Sequence, residues 1–262
     1  MKKFSQVYEK AILEGIRSKG GLTFMQLDPP NYTPELSGKI AKIATENGLD
    51  AFAVGGSVGA QGEILDQTIK QIKENSNLPV ILFPGNVATL SKYADALYFL
   101  SMLNSNDPYW ITGAQVSSAW PIKQLGLEVI PTSYVIIEPG MAVGWMGRAQ
   151  PIPRDKDYLA AVTALAGQYL GQKLVILESG GGSPTCAPIE MVAATKKMID
   201  IPLLIAGGIK TPETAASLIK AGADIVQVGS VFEKSKGDLK KTGELFKKFT
   251  DSVKKAGKEK LK

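Results

Sequence analysis

The sequence contains no histidine, a single cysteine, Cys186, and only three arginines, Arg17, Arg148 and Arg154. Without histidine there is no Ser-His-Asp or Cys-His nucleophile, no imidazole general base and no histidine-ligated zinc or iron. One cysteine excludes an intrachain disulfide and a thiolate metal cluster, a pattern that suits a reducing, cytoplasmic interior. No apolar run approaches the roughly 18 residues that cross a bilayer. The opening lysines are soon followed by Glu9 and Glu14, so the start reads as a helix and not as a secretory signal. What remains is carboxylate chemistry, hard-cation chemistry through oxygen ligands, or a lysine Schiff base.

The net positive charge is confined to one segment. From Lys234 to Lys262 there are 11 lysines against 4 acidic residues, so this stretch carries +7 and the rest of the chain about −2. The tail contains no arginine, which argues against a nucleic-acid face and for a solvated, Lys-rich final helix. Loose attraction to an anionic membrane surface is the alternative use of such a tail.

Short β-rich apolar runs alternate with helical patterns along all 262 residues, close to the roughly 250 typical of one (β/α)8 barrel domain. Eight strands are predicted, at 22–27, 51–55, 80–83, 96–100, 128–137, 174–178, 202–206 and 225–229. Helix grammar recurs between them. Thr33 caps, Pro34 opens, Leu36, Ile40 and Ile43 form an apolar stripe, and Asn47-Gly48 stops the helix. Thr211, Pro212, the inward Ala215, Leu218 and Ile219, and the closing Gly222 repeat the scheme. The barrel is expected to be modified in two ways. An extra helix from about Phe4 to Lys19 precedes the first strand, within residues 1–20. Only a dozen residues, PGNVATLSKYAD, join strands three and four, so the third helix is short or missing. Such a gap would open a groove for a long apolar ligand. Residues 138–154, rich in Gly and Pro, form a long loop after strand five and read as a lid or binding loop.

Barrel enzymes carry their sites at the C-terminal ends of the strands. There, Gly207 and Gly208 follow strand seven while Gly229 and Ser230 follow strand eight. This is the setting in which backbone N–H groups grip a phosphate, although glycines also serve tight turns. Strand six ends in LESGGG, placing Glu178 beside Gly180, Gly181 and Gly182; a general base for a ligand hydroxyl and a structural salt bridge are both open readings. Strand one ends at Asp28 and strand two leads to Ser57, a sparse oxygen set that suits Mg²⁺, while an Asp in this position can equally form a turn. Tyr98, Phe99, Tyr109, Trp110, Trp120, Tyr134 and Trp145 are expected to be mostly core. Arg148 and Arg154 could clamp a diphosphate or pair on the surface. None of the predicted strands contains lysine, which weakens a Schiff-base aldolase.

The segments LFPGN (82–86), ADALYFLSMLNS (94–105), PYWITGAQ (108–115) and EPG (138–140), with LDP, VGGS, LES, AGGI and VGS, resemble the geranylgeranylglyceryl phosphate synthase family, archaeal branch, over nearly the whole chain. The resemblance implies transfer of a geranylgeranyl group from its diphosphate to the C3 hydroxyl of sn-glycerol 1-phosphate, a step toward archaeal ether lipids, by a homo-oligomer, dimer or hexamer. It implies Mg²⁺ as cofactor on Asp28 and Ser57. Glycerol 1-phosphate would be held by Ile176, Leu177, Glu178, Ser179, Gly180, Gly181 and Gly182, by Gly207 and Gly208, and by Gly229 and Ser230, with Glu178 at the glycerol hydroxyls. Ile176 stands where the family has Tyr, Gly181 where it has Ser, Ser230 where Asn is common, and Pro30 where a Lys follows Asp-Pro. Competing readings are an FMN-binding or sugar-phosphate-isomerising barrel with the same phosphate loops, and a non-catalytic lipid-phosphate binder.

Overall fold

The computed structural model describes residues 5–262. Eight parallel strands, β1 (Leu22–Leu27), β2 (Ala51–Gly56), β3 (Val80–Pro84), β4 (Ala96–Met102), β5 (Glu128–Ile136), β6 (Leu174–Glu178), β7 (Leu203–Ala206) and β8 (Ile225–Val228), close into a barrel in sequence order. The sheet is sealed by β1 pairing with both β2 and β8. The strands match the sequence expectation to within two residues at each end. They are legible because strands covered on both faces become near-continuous apolar runs.

Side chains alternate between two cores. Inward residues such as Phe24, Ala53, Ile81, Tyr98, Tyr134, Ile176, Leu204 and Ile225 fill the barrel, whereas Met25, Leu27, Phe52, Val54, Val175, Leu177 and Val226 pack outward beneath the helices. The N-terminal helix plugs the floor. A π-helical stretch, Val7–Leu13, continues into α1 (Glu14–Lys19), and its Val7 and Ile12 join the inner core. The backbone N–H groups of Val7 and Tyr8 donate to the Glu128 carboxylate at 2.6 and 2.8 Å, anchoring the plug to the foot of β5. The expected helix start at Phe4 lies outside the described residues.

The outer ring comprises α2 (Pro34–Glu46), α3 (Gly62–Asn75), α4 (Ala114–Leu125), α6 (Asp157–Tyr169), α7 (Ile189–Met198), α8 (Pro212–Lys220) and α10 (Leu239–Lys260), with the short α5 (Met141–Met146) and α9 (Ser230–Ser235) in loops. Thr33 and Thr211 cap α2 and α8 by accepting from Leu36 and Thr214 N–H. No helix forms between β3 and β4, as the short connection foretold. The Lys-rich tail is α10, whose Phe246, Phe249, Val253 and Ala256 are buried against the barrel while most of its lysines face solvent. No helix among the described residues is long and apolar enough to cross a membrane.

Candidate active site

One cavity of about 560 Å³ opens at the C-terminal ends of the strands and gathers most of the residues singled out by the sequence. Asp28 and Ser57 stand on its wall with Glu178, Gly181, Gly182, Gly207, Gly208, Gly229 and Ser230. Ile176, Leu177, Ser179 and Gly180 do not reach that wall. Ile176 fills the barrel interior, Leu177 points outward under the helices, Ser179 is fully buried, and the Gly180 N–H is committed to Glu178.

The cavity continues beyond the barrel mouth. Leu90, Leu97, Phe99 and Ile122 line it, and all four belong to the layer outside the sheet. A ligand can therefore pass from the mouth into the space that a third helix would fill. The segment 138–154 covers this opening: Ala142, Val143 and Met146 of α5 line the cavity, and the loop is pinned by Asn104, whose amide donates to the Ile136 and Gln150 carbonyls at 2.7 and 2.9 Å.

Glu178 ends β6 almost fully buried. Its Oε1 accepts from Gly180 N–H at 2.7 Å and its Oε2 from the Tyr134 hydroxyl at 3.3 Å. Burial pushes its carboxyl up to about 7, the two hydrogen bonds pull it back, and the Asp28 charge adds to the rise. Tyr134 is itself raised well above its ordinary value, by burial first and then by Glu178. Glu178 has no cationic partner, so the salt-bridge reading fails among the described residues. Asp28 is raised to about 6 by burial, lowered by a 2.6 Å hydrogen bond from Gln26, and raised again by Glu233. The turn glycines are dictated by space. A Cβ on Gly207, at φ +79°, would lie 2.5 Å from Glu178 Oε1, and one on Gly208, at φ +72°, 2.2 Å from the Thr185 carbonyl.

Among the described residues, the wall contains no Lys, Arg or His. Arg154 donates to the carbonyls of Glu138 and Cys186, tying the lid loop to the loop after β6, and Arg148 sits exposed, 4.0 Å from Asp107. Neither lines the cavity. The aromatic expectation also needs correction. Tyr98 and Tyr134 are core and Trp110 lines the cavity, but Trp120 and Trp145 are 64% and 81% exposed, because α4 and α5 turn them away from the barrel.

Gln26, Gln227 and Glu233 also stand on the wall, and the sequence reading gave none of them a role of its own. The two glutamines interrupt otherwise apolar strands, MQL and VQV, and that interruption was the available signal. Glu233 is one turn into α9 and carries no such mark.

Residues 16–248 match the model of the PcrB family. The chain belongs to that family. It is 53% identical over 225 residues to the geranylgeranylglyceryl phosphate synthase of Pyrococcus horikoshii, covering 86% of this chain and 88% of the relative. The Thermococcus kodakarensis protein of the same name is 54% identical over 212 residues, 81% of this chain and 84% of that one. Among solved structures, the (S)-3-O-geranylgeranylglyceryl phosphate synthase of Thermoplasma acidophilum, in complex with its substrate sn-glycerol-1-phosphate, superposes with a TM-score of 0.89. It is 36% identical, and the match covers 97% of this chain and all of that one. This PcrB-family barrel thus shares both its fold and its length with those synthases.

Proposed function

We propose that this PcrB-family protein is a geranylgeranylglyceryl phosphate synthase, joining the geranylgeranyl group of its diphosphate to the C3 hydroxyl of sn-glycerol 1-phosphate. The observation that carries the reading is one continuous cavity, with Asp28 and Glu178 in its polar mouth and Leu90, Leu97, Phe99 and Ile122 in its apolar extension. An isoprenoid chain fits the extension and its diphosphate the mouth. The family relatives and the glycerol-phosphate complex of the Thermoplasma enzyme support the same pair of substrates.

Binding must solve an electrostatic problem. Two anionic substrates are to enter a wall that carries Asp28, Glu178 and Glu233 and, among the described residues, no cationic side chain. Glycerol 1-phosphate is met by backbone at Gly181, Gly182, Gly207, Gly208, Gly229 and Ser230, which can offer N–H groups without charge. The diphosphate needs a counter-ion. The donors on its side, the Asp28 carboxylate and the Ser57 hydroxyl, are hard oxygens and fit Mg²⁺, which holds few protein ligands and completes its shell with water and phosphate oxygens. Bound there, Mg²⁺ would supply stabilisation of the charge growing on the departing diphosphate.

Glu178 does the rest. Held by Gly180 N–H and Tyr134, and raised to about 7, it is poised near neutrality to take the proton of the glycerol C3 hydroxyl. The new bond forms between that oxygen and the first prenyl carbon, and the carbon–oxygen bond to diphosphate breaks. The α5 lid shields the prenyl carbon from water, which would otherwise compete as nucleophile. The test is incubation with labelled sn-glycerol 1-phosphate and prenyl diphosphates of graded length, with and without Mg²⁺. Labelled ether product only with Mg²⁺ is expected; no transfer under any of these conditions overturns the reading.

A further inference from the structure

Four polar side chains cross the barrel interior in a single file. The Tyr98 hydroxyl on β4 donates to Gln227 Oε1 at 3.3 Å, Gln227 Nε2 on β8 donates to Gln26 Oε1 at 2.9 Å, and Gln26 Nε2 on β1 donates to Asp28 Oδ1 at 2.6 Å. The same Gln26 Nε2 donates to the Gly55 carbonyl at 2.8 Å. A backbone carbonyl can only accept, so the Gly55 bond fixes which end of the Gln26 amide is nitrogen. With that end fixed, Gln26 must present oxygen to Gln227, which must present oxygen to Tyr98. One carbonyl thus orients the entire file.

Everything the file determines ends on Asp28. Both N–H groups of Gln26 are used, Oδ1 of Asp28 is held, and Oδ2 has no hydrogen-bond partner among the described residues. Gly56 packs close to this carboxylate, a Cβ there lying 3.1 Å from Asp28 Cγ, so a side chain at 56 would crowd it. The donor is neutral. A lysine at the same point would hold Asp28 equally well but would cancel the charge that a cation needs. Gln227 is buried and Gln26 half-buried; amides so placed are costly without partners, and here each supplies one to the other.

Resting on the Mg²⁺ reading of Asp28, we infer that Gln26 is a positioning residue for the metal, orienting Asp28 toward the diphosphate, and that Gln227 fixes the orientation of Gln26. Support of this outer kind is typically worth 10–100-fold in metal affinity.

The test uses the full chain with inorganic pyrophosphate as probe, titrated calorimetrically with and without Mg²⁺, and sn-glycerol 1-phosphate titrated separately. In the unaltered protein Mg²⁺ is expected to tighten pyrophosphate binding, and Asp28→Asn to remove that gain. Gln26→Met and Gln227→Met, near in size but unable to donate, are each expected to cut the Mg²⁺-dependent gain about tenfold while leaving sn-glycerol 1-phosphate affinity unchanged; each strands a former partner and so also lowers Tm. The positioning role alone is overturned if the gain depends on Asp28 yet survives both glutamine variants, or if glycerol phosphate affinity falls in parallel with it. Absence of any Mg²⁺-dependent gain in the unaltered protein overturns both the metal reading and this inference. Gln227→Met, which leaves Asp28 and its direct donor in place, keeps the test decisive if Gln26→Met fails to fold.

Discussion

Glu178 is a carboxyl raised to about 7 chiefly by burial, with the Asp28 charge adding to the rise, and this has a direct kinetic consequence. A base must be ionised to accept a proton, so kcat/KM is expected to rise with pH through about 7 and then level, losing activity on the acid side as Glu178 protonates. Glu178→Gln should lower the rate by about a hundredfold and flatten the profile across that window; a variant retaining the acid limb would assign the limb to another group. The glycines beside it divide by space. Gly181 has no positive φ and an added Cβ meets nothing within 4 Å, so Gly181→Ser places a hydroxyl on the cavity wall without strain. That change should lower the KM for glycerol phosphate by about fivefold, the worth of about 1 kcal/mol for one hydrogen bond, with Tm unaltered. Gly207→Ala, by contrast, drives a Cβ against Glu178 and Gly180 and should depress kcat and Tm together. The carboxylates and glycines were legible in the sequence because strand ends are marked by turns. Gln26 and Gln227 were not, because a strand buried on both faces loses the polar alternation that would say which way a side chain points.

At the level of elements the two ends of the barrel use charge in opposite ways. At the floor, Asp50, Asp95 and Asp224 stand just before β2, β4 and β8, and each accepts from a backbone N–H at the foot of the preceding strand, of Thr23, Val80 and Leu203. Each is also paired with lysine: Asp50 with Lys19, Asp95 with Lys73, and Asp224 with Lys196 and Lys260. These pairs tie the N-terminal helix, α3, α7 and α10 to the sheet, and they account for acidic residues that pattern alone could not distinguish from site residues. Lys73 is 4% exposed, so Asp95→Ala would strand a buried charge as well as an open backbone donor. A loss of about 3–5 kcal/mol is expected in chemical denaturation, with KM values for both substrates unchanged because the pair lies at the opposite end from the cavity. A shift in KM without loss of stability would contradict this division of labour. The missing third helix was readable from chain length alone, since about a dozen residues leave no room for a crossover helix. That α4 would supply the far wall of the resulting groove was not readable, because its Ala114, Gln115 and Ser118 carry no apolar stripe of their own.

For the whole molecule, the absent helix converts a closed barrel mouth into a passage, and the dimensions of that passage should decide which donor is accepted. Its far side is made by Ser118 and Ile122 of α4, successive turns of one helix face, with Leu97 and Phe99 of β4 opposite. Ser118 bonds only within its own helix, to the Ala114 carbonyl at 2.8 Å and weakly to that of Gln115, so its hydroxyl holds no other element in place. Ser118→Phe therefore fills cavity and not core, and should leave the unfolding transition near that of the parent. It blocks the apolar extension while leaving Asp28, Glu178 and the glycine loops untouched. Long donors must then lose contact or leave their terminal units in water, at about 1–3 kcal/mol per displaced group, which is 10–200-fold in kcat/KM. Geranylgeranyl diphosphate should be penalised on that scale, farnesyl diphosphate less, and geranyl diphosphate little, with the KM for glycerol phosphate constant throughout. An equal loss for all three donors would place the chain elsewhere and leave the gap between β3 and β4 without a role in donor choice.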